Sequence, residues 1–153
     1  MLNKLQLLGR AVKQAQHRQH RLAESRLTAI GTTLVQWDAL RAISRMPGAS
    51  AHTLALATFQ TDQAFGTLAN RLLAQGLIDR CAGHGRRIEH RLTSAGETLL
   101  GAGSSVVDGV LAELFSTLNE SEQKSLYDLL VRVIGDAAVN LHESDAEAAD
   151  HAG

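Results

Sequence analysis

What most constrains this chain is a change of period at Gly76. Before it, "LANRLLAQ" repeats its apolar residues every three to four positions, as one face of a helix requires. After it, "LIDRC" and "RRIEHRLT" alternate well enough to be two strands, and "AGHG" between them supplies the turn. Helical spacing then returns, with Thr93 or Ser94 as the cap. The chain must therefore fit a short hairpin into the middle of an otherwise helical fold.

The rest of the pattern is helical. Leu2, Leu5, Leu8, Val12 and Ala15 predict a first helix from about Asn3 to about Ala23. A second starts near Thr33 or Val35, runs through "WDALRAISRM" and stops at "PGAS", where Pro47 and Gly48 turn the chain and Ser50 is a ready N-cap. "AHTLALAT" is a short helix, and a break at "FQT" precedes a longer one from Thr61 or Asp62 to Gln75. Gly76 falls at the left-handed position after it. A helix beginning at Thr93 or Ser94 and reaching about Leu118 carries Leu99, Leu100, Val106, Val107, Val110, Leu111, Leu114 and Phe115 as its apolar positions. Ser121 or Asn119 caps a last helix with Leu126, Leu129, Leu130, Val133 and Ile134 on its apolar face, and the acidic tail 142–153 is expected to fray. The expected fold is mostly α with a small β-hairpin: a winged helix-turn-helix lobe over about 35–93, flanked by long helices over about 3–23 and 95–140. It forms one domain spanning 1–141, with no internal repeat.

Charge is divided along the chain. Residues 1–96 hold 13 Lys and Arg against 5 Asp and Glu, whereas residues 97–153 hold 2 against 11, so a net charge of −1 conceals a basic half and an acidic half. The basic half is suited to a polyanion, and the acidic half keeps the protein soluble. The single cysteine, Cys81, excludes an internal disulfide and a cysteine zinc site and suits a reducing cytoplasm. Lys4, Arg10 and Lys13 break up any signal-peptide core, and Asp108, Glu113 and three glycines interrupt the most apolar stretch, so neither secretion nor a membrane span is expected.

The Thr61–Gln75 helix has the composition of a DNA reader. Phe65, Leu68, Ala69 and Leu72 form its inward face, leaving Gln63, Gly66, Thr67, Asn70 and Arg71 outward. Gln bonds adenine with both arms of its amide, Thr meets a thymine methyl, and Gly66 permits close backbone approach. The hairpin adds Arg86 and Arg87 beside Gly85, guanidiniums placed to enter a minor groove. Ser50 and Thr61, each at a helix start, are placed to meet phosphates. A Gln/Thr/Asn helix face or a basic hairpin is, taken alone, ordinary solvated surface; the combination in this order is what points to DNA.

At these residues the sequence resembles the MarR family of winged-helix transcription regulators. The resemblance covers nearly the whole chain and is carried by "QWDALRAI", Leu54–Ala55, "LANRLLAQGLIDR" (Leu68–Arg80) and "RRIEHRLTSAG" (Arg86–Gly96). It implies an obligate homodimer whose first and last helices interlock, with two winged lobes straddling a pseudopalindromic operator on double-stranded DNA. It also implies release from DNA by a small aromatic or anionic ligand, for which His17, His20, Arg21, Trp37 and Arg41 are the candidate contacts. The chain departs from the family's pattern at His84, where an Asp commonly braces the wing arginine, here Arg86. Leucine-like positions in the turn are filled by Thr58 and Gln60, so either Phe59 replaces the usual packing or the turn is shifted. The reading helix has no Lys or Arg before Arg71, which moves affinity onto the wing, the helix ends and the dimer.

The function expected is that of a cytoplasmic, sequence-specific transcription repressor without cofactor. The rival is a winged-helix protein-interaction module that has lost DNA binding; a weaker one is a redox regulator using Cys81, whose thiol lies near Arg80. His17 and His20 have a zinc-compatible spacing but no third ligand, and no metal site is assigned. No phosphate loop, nucleophile elbow or catalytic triad is present in the sequence, so no enzyme activity is expected.

Overall fold

The structure, a computed structural model, describes residues 3–83, 85 and 87–138. Among the described residues there are six α-helices: α1 (Lys4–Ala29), α2 (Leu34–Arg45), α3 (Ala51–Ala57), α4 (Asp62–Ala74), α5 (Ser94–Leu114) and α6 (Glu120–Ile134). Between α4 and α5 lies an antiparallel hairpin of β1 (Ile78–Ala82) and β2 (Ile88–Leu92), and a 3₁₀ turn, Gly135–Ala138, follows α6. The mostly helical chain with one small hairpin is the fold expected, with the helix-turn-helix and wing in the expected order.

The chain divides into two compact units, residues 1–111 and 112–153. In the first, Leu40 and Ile43 of α2, Leu54 of α3, Phe65 and Leu72 of α4 and Ile78 of β1 form one core. Each of these side chains contributes about 1.5–3 kcal/mol by leaving water. The apolar positions of α4 are buried in the pattern its spacing predicts, Phe65, Leu68, Ala69 and Leu72 inward. The second unit contains α6, whose capping box pairs Asn119 with Glu122 and which buries none of its residues in the chain itself.

Boundaries differ in three places. The first helix runs six residues past Ala23, because Ala23 and Leu27 are buried beneath it and it stops only where Gly31 takes φ +88°. The fifth ends at Leu114, before the expected Leu118, and turns 115–118 lead into the Asn119 cap. The second strand starts at Ile88, so Arg87 precedes it, with its carbonyl accepting from the Gly83 amide at 2.8 Å across the hairpin end. The turn between α3 and α4 resolves the alternatives at Phe59: this side chain does not replace buried packing, being 97% exposed with φ +56°. Thr58 is the residue turned inward, and its hydroxyl donates to the Leu54 carbonyl at 2.8 Å.

Three polar contacts hold the lobe's connections. Glu24 accepts from the Leu34 amide at 2.7 Å, placing a carboxylate on the N-terminus of α2, where the helix dipole favours it. Thr93 donates to the Gly76 carbonyl at 2.6 Å and accepts from the Gly96 amide at 3.1 Å, so one hydroxyl joins the end of α4 to the start of α5. Gly96 itself is required there, since a Cβ would collide with the Leu77 carbonyl.

Candidate nucleic-acid interface

The exposed side of the lobe is assembled from the starts of α3 and α4, the outer face of α4 and the hairpin. Ser50 caps α3 by accepting from the Thr53 amide at 3.2 Å, and Thr61 caps α4 by accepting from the Ala64 amide at 3.1 Å. Both hydroxyl oxygens are thus engaged within the fold, and each helix start keeps backbone amides to offer. On α4, Gln63, Thr67, Asn70 and Arg71 are exposed and Gly66 is half-buried. A Cβ added at Gly66 would meet nothing within 4 Å, so the gap there belongs to the surface rather than to packing. The Thr67 hydroxyl donates to the Gln63 carbonyl at 3.1 Å, an internal bond that leaves the methyl as its free group.

Asn70 is tied to the wing. The Arg80 Nη2 donates to Asn70 Oδ1 at 2.8 Å, and Arg80 Nε donates to His90 Nε2 at 3.4 Å, with Arg80 and His90 paired across the two strands. His90 was not among the residues the sequence singled out; alternation in "RRIEHRLT" places it on the core face, a signal that could have found it. Its ring is 6% exposed and meets Phe65 edge-on, with centroids 6.1 Å apart. Its Nδ1 is buried without a partner among the described residues. Burial pushes the His90 pKa below its ordinary value of 6.5, and the Arg80 guanidinium pushes it further in the same direction. The other charged or titratable groups in the two clefts that His90 lines are Arg87, Glu89 and Arg91, with His52 from α3 and Glu97 from α5. There α2 presents only Ile43 and Ser44, and α4 presents Phe65, Gly66, Ala69 and Asn70.

At the start of α4, His52 Nδ1 lies 2.8 Å from Asp62 Oδ1, linking the two helices of the reading motif on their exposed side. In the wing, Gly85 has φ +71°, the left-handed turn its position calls for, and Arg87 is exposed. His84 and Arg86 lie outside the described residues. Cys81 is half-buried, its thiol donating weakly to the Glu89 carbonyl at 3.7 Å.

Among the candidate ligand contacts, the structure brings Trp37 and Arg41 together, the guanidinium carbon 5.5 Å from the ring centroid. Trp37 is also a packing residue. It is 6% exposed, its indole donates to the Leu100 carbonyl at 3.3 Å, and a Cβ on Gly103 would collide with its ring. His17, His20 and Arg21 stand on the exposed surface of α1. Beside Trp37, burial raises the Asp38 pKa above 3.8 while Arg41 and Arg45 oppose that shift. Among the described residues no cluster of His, Cys, Asp or Glu could hold a metal, and no helix is long and apolar enough to cross a membrane.

A sequence model described as the MarR family matches residues 30–87, from the approach to α2 into the wing. The HTH-type transcriptional repressor Rv2887 of Mycobacterium tuberculosis (strain ATCC 25618 / H37Rv) is 30% identical over 112 residues, covering 72% of this chain and 81% of that protein. A crystal structure of the M. tuberculosis MarR family protein Rv2887 in complex with p-aminosalicylic acid matches with a TM-score of 0.70 at 26% identity, over 82% of this chain and 97% of that one. The crystal structure of Rv2887 in complex with DNA matches with a TM-score of 0.70 at 24% identity, over 82% and 96%. At this identity and coverage, and with a helix-turn-helix, a hairpin and helical flanks of its own, the protein belongs to the MarR family of winged-helix transcription regulators.

Proposed function

We propose that this protein is a homodimeric, sequence-specific DNA-binding repressor whose hold on its operator falls when a small aromatic or anionic molecule binds. The observation that carries the reading is the outer face of α4, where Gln63, Thr67, Asn70 and Arg71 stand exposed beside the hairpin while the opposite face fills the core. Such a helix offers hydrogen-bonding side chains at the spacing a major groove accepts, and Arg87, next to Arg86 in the sequence, adds an exposed cationic side chain in the adjoining wing. The relative Rv2887 has been crystallised with DNA and with p-aminosalicylic acid, which supports both halves of the reading. Dimerisation is supported by apolar side chains that the single chain leaves in water. Leu5, Leu8 and Val12 are 73%, 60% and 48% exposed on α1, and in the second unit Leu129, Val133 and Ile134 are exposed on α6.

Binding titrations at fixed salt test the DNA role. Arg86→Ala is expected to weaken operator binding by roughly 1–3 kcal/mol, and Gln63→Ala to damage sequence preference more than general affinity. Retention on random-sequence DNA should collapse as salt rises, because phosphate contacts release counterions. A protein indifferent to DNA at low salt, with both variants behaving like the parent, would instead be a protein-interaction module.

A further inference from the structure

The amide of Asn70 has one oxygen arm and one nitrogen arm, and Arg80 decides which faces where. Arginine carries only donors, so the atom 2.8 Å from its Nη2 has to be Oδ1. The oxygen, which could accept once more, is drawn toward Arg80 on the hairpin, and the NH₂ arm lies on the other side of the amide. Arg80 is held in turn by the strand pairing that sets it opposite His90 and by its Nε–H donated to His90 Nε2. His90, packed edge-on against Phe65 beneath the hairpin, has little room to swing away. For Nε2 to accept, the neutral ring must carry its proton on Nδ1, and Nδ1 is the buried atom that finds no partner among the described residues. Among the described residues no group accepts that N–H, so the fold leaves it unsatisfied while an arginine stays in place on the surface.

We infer that Arg80, braced by His90, turns Asn70 so that it presents only hydrogen-bond donors to the groove, which makes guanine the base it reads. This rests on the DNA-binding role proposed above. In the major groove guanine alone offers two adjacent acceptors, N7 and O6, with no donor on its own edge. Adenine, the usual partner of asparagine, needs the oxygen and nitrogen arms together, and here the oxygen is turned to the wing. Arg80 and His90 are on this account positioning residues that set specificity without themselves touching a base.

Selection of bound DNA from a random pool, with the full-length protein and variants, tests the inference. Asn70→Ala locates the base pair read by this residue as the one whose preference disappears. The wild type should hold a G·C pair there. Arg80→Met, which changes only an exposed side chain, should cut the guanine-over-adenine preference about tenfold, and Arg80→Lys, which still donates to Oδ1, should retain it. An A·T pair at that position in the wild type, or an unchanged guanine preference in Arg80→Met, overturns the inference while leaving DNA binding intact. A wild type that enriches no sequence overturns the DNA role and the inference together. Long-range ¹⁵N–¹H spectra of the free protein give a readout independent of DNA: His90 should be the Nδ1–H tautomer at neutral pH, and an Nε2–H ring would remove the brace.

Discussion

At the scale of the residue, the site is made by small differences in what each side chain still has to offer. Gly66 has room for a Cβ in the free protein. Gly66→Ala should therefore raise stability by about 0.5–1 kcal/mol through helix propensity, seen as a higher melting temperature. The same methyl should weaken operator binding, since it stands where the backbone is to approach the groove. A substitution that stabilises the fold and strengthens DNA binding as well would show that α4 does not approach DNA at this point. His90 makes stability depend on pH with a definite sign. Its pKa in the folded protein lies below the ordinary 6.5, so the unfolded chain takes the proton first as pH falls. The stabilisation is complete above 6.5 and declines as pH drops below 6.5 towards the depressed folded value. Thermal melts between pH 7 and pH 5 should fall less steeply for His90→Phe than for the parent; parallel slopes would mean that His90 titrates normally.

At the scale of the element, the α3–α4 turn is where sequence patterning and folded geometry part company. Leucine-like positions filled by Thr58 and Gln60 left it open whether Phe59 packs inward. The backbone settles it by assigning the left-handed conformation to Phe59, which throws the ring into solvent and leaves Thr58 to cap α3 from inside. A non-glycine residue in that conformation costs about 1 kcal/mol, and an exposed ring loses nothing on removal. Phe59→Gly should stabilise the protein by about 0.5–1 kcal/mol in a denaturant titration. A loss of stability would show that the ring is covered in solution. The α4 helix is the opposite case, since three-and-four spacing alone separates Phe65, Leu68, Ala69 and Leu72 from Gln63, Thr67 and Asn70, and the burial pattern follows it residue for residue. The end of α1 was less legible, because "AESRLTA" carries no stop signal at Ala23 and only the burial of Ala23 and Leu27 explains why the helix goes on.

At the scale of the whole molecule, the terminal helices carry more apolar surface than the single chain covers. Exposed leucines on a surface helix are an association signal when they recur along one stretch, as Leu5, Leu8 and Val12 do. Leu8→Asp combined with Val12→Asp should convert a dimer to a monomer in analytical ultracentrifugation and weaken operator binding with it, because a single lobe loses the second half-site. A dimer of unchanged stability in the double variant would place the interface elsewhere.

Periodicity and punctuation were enough to determine the order of elements, the inward face of α4, the hairpin and the cap at Ser50, and to narrow the starts of α2, α4 and α6 to two residues each, since each depends on neighbours a few positions away along the chain; the structure selects Thr33, Thr61 and Asn119. The family was legible for the same reason, in the run from Leu68 to Gly96. What only the tertiary structure decided were contacts between residues distant in sequence or set by backbone dihedrals: Glu24 on the start of α2, Thr93 joining Gly76 to Gly96, the exposure of Phe59, and the line from Asn70 through Arg80 to His90. The sequence identifies an asparagine on the outer face of α4. Which arm of its amide faces outward depends on an arginine ten residues away, and that arginine is held by a histidine ten residues further on.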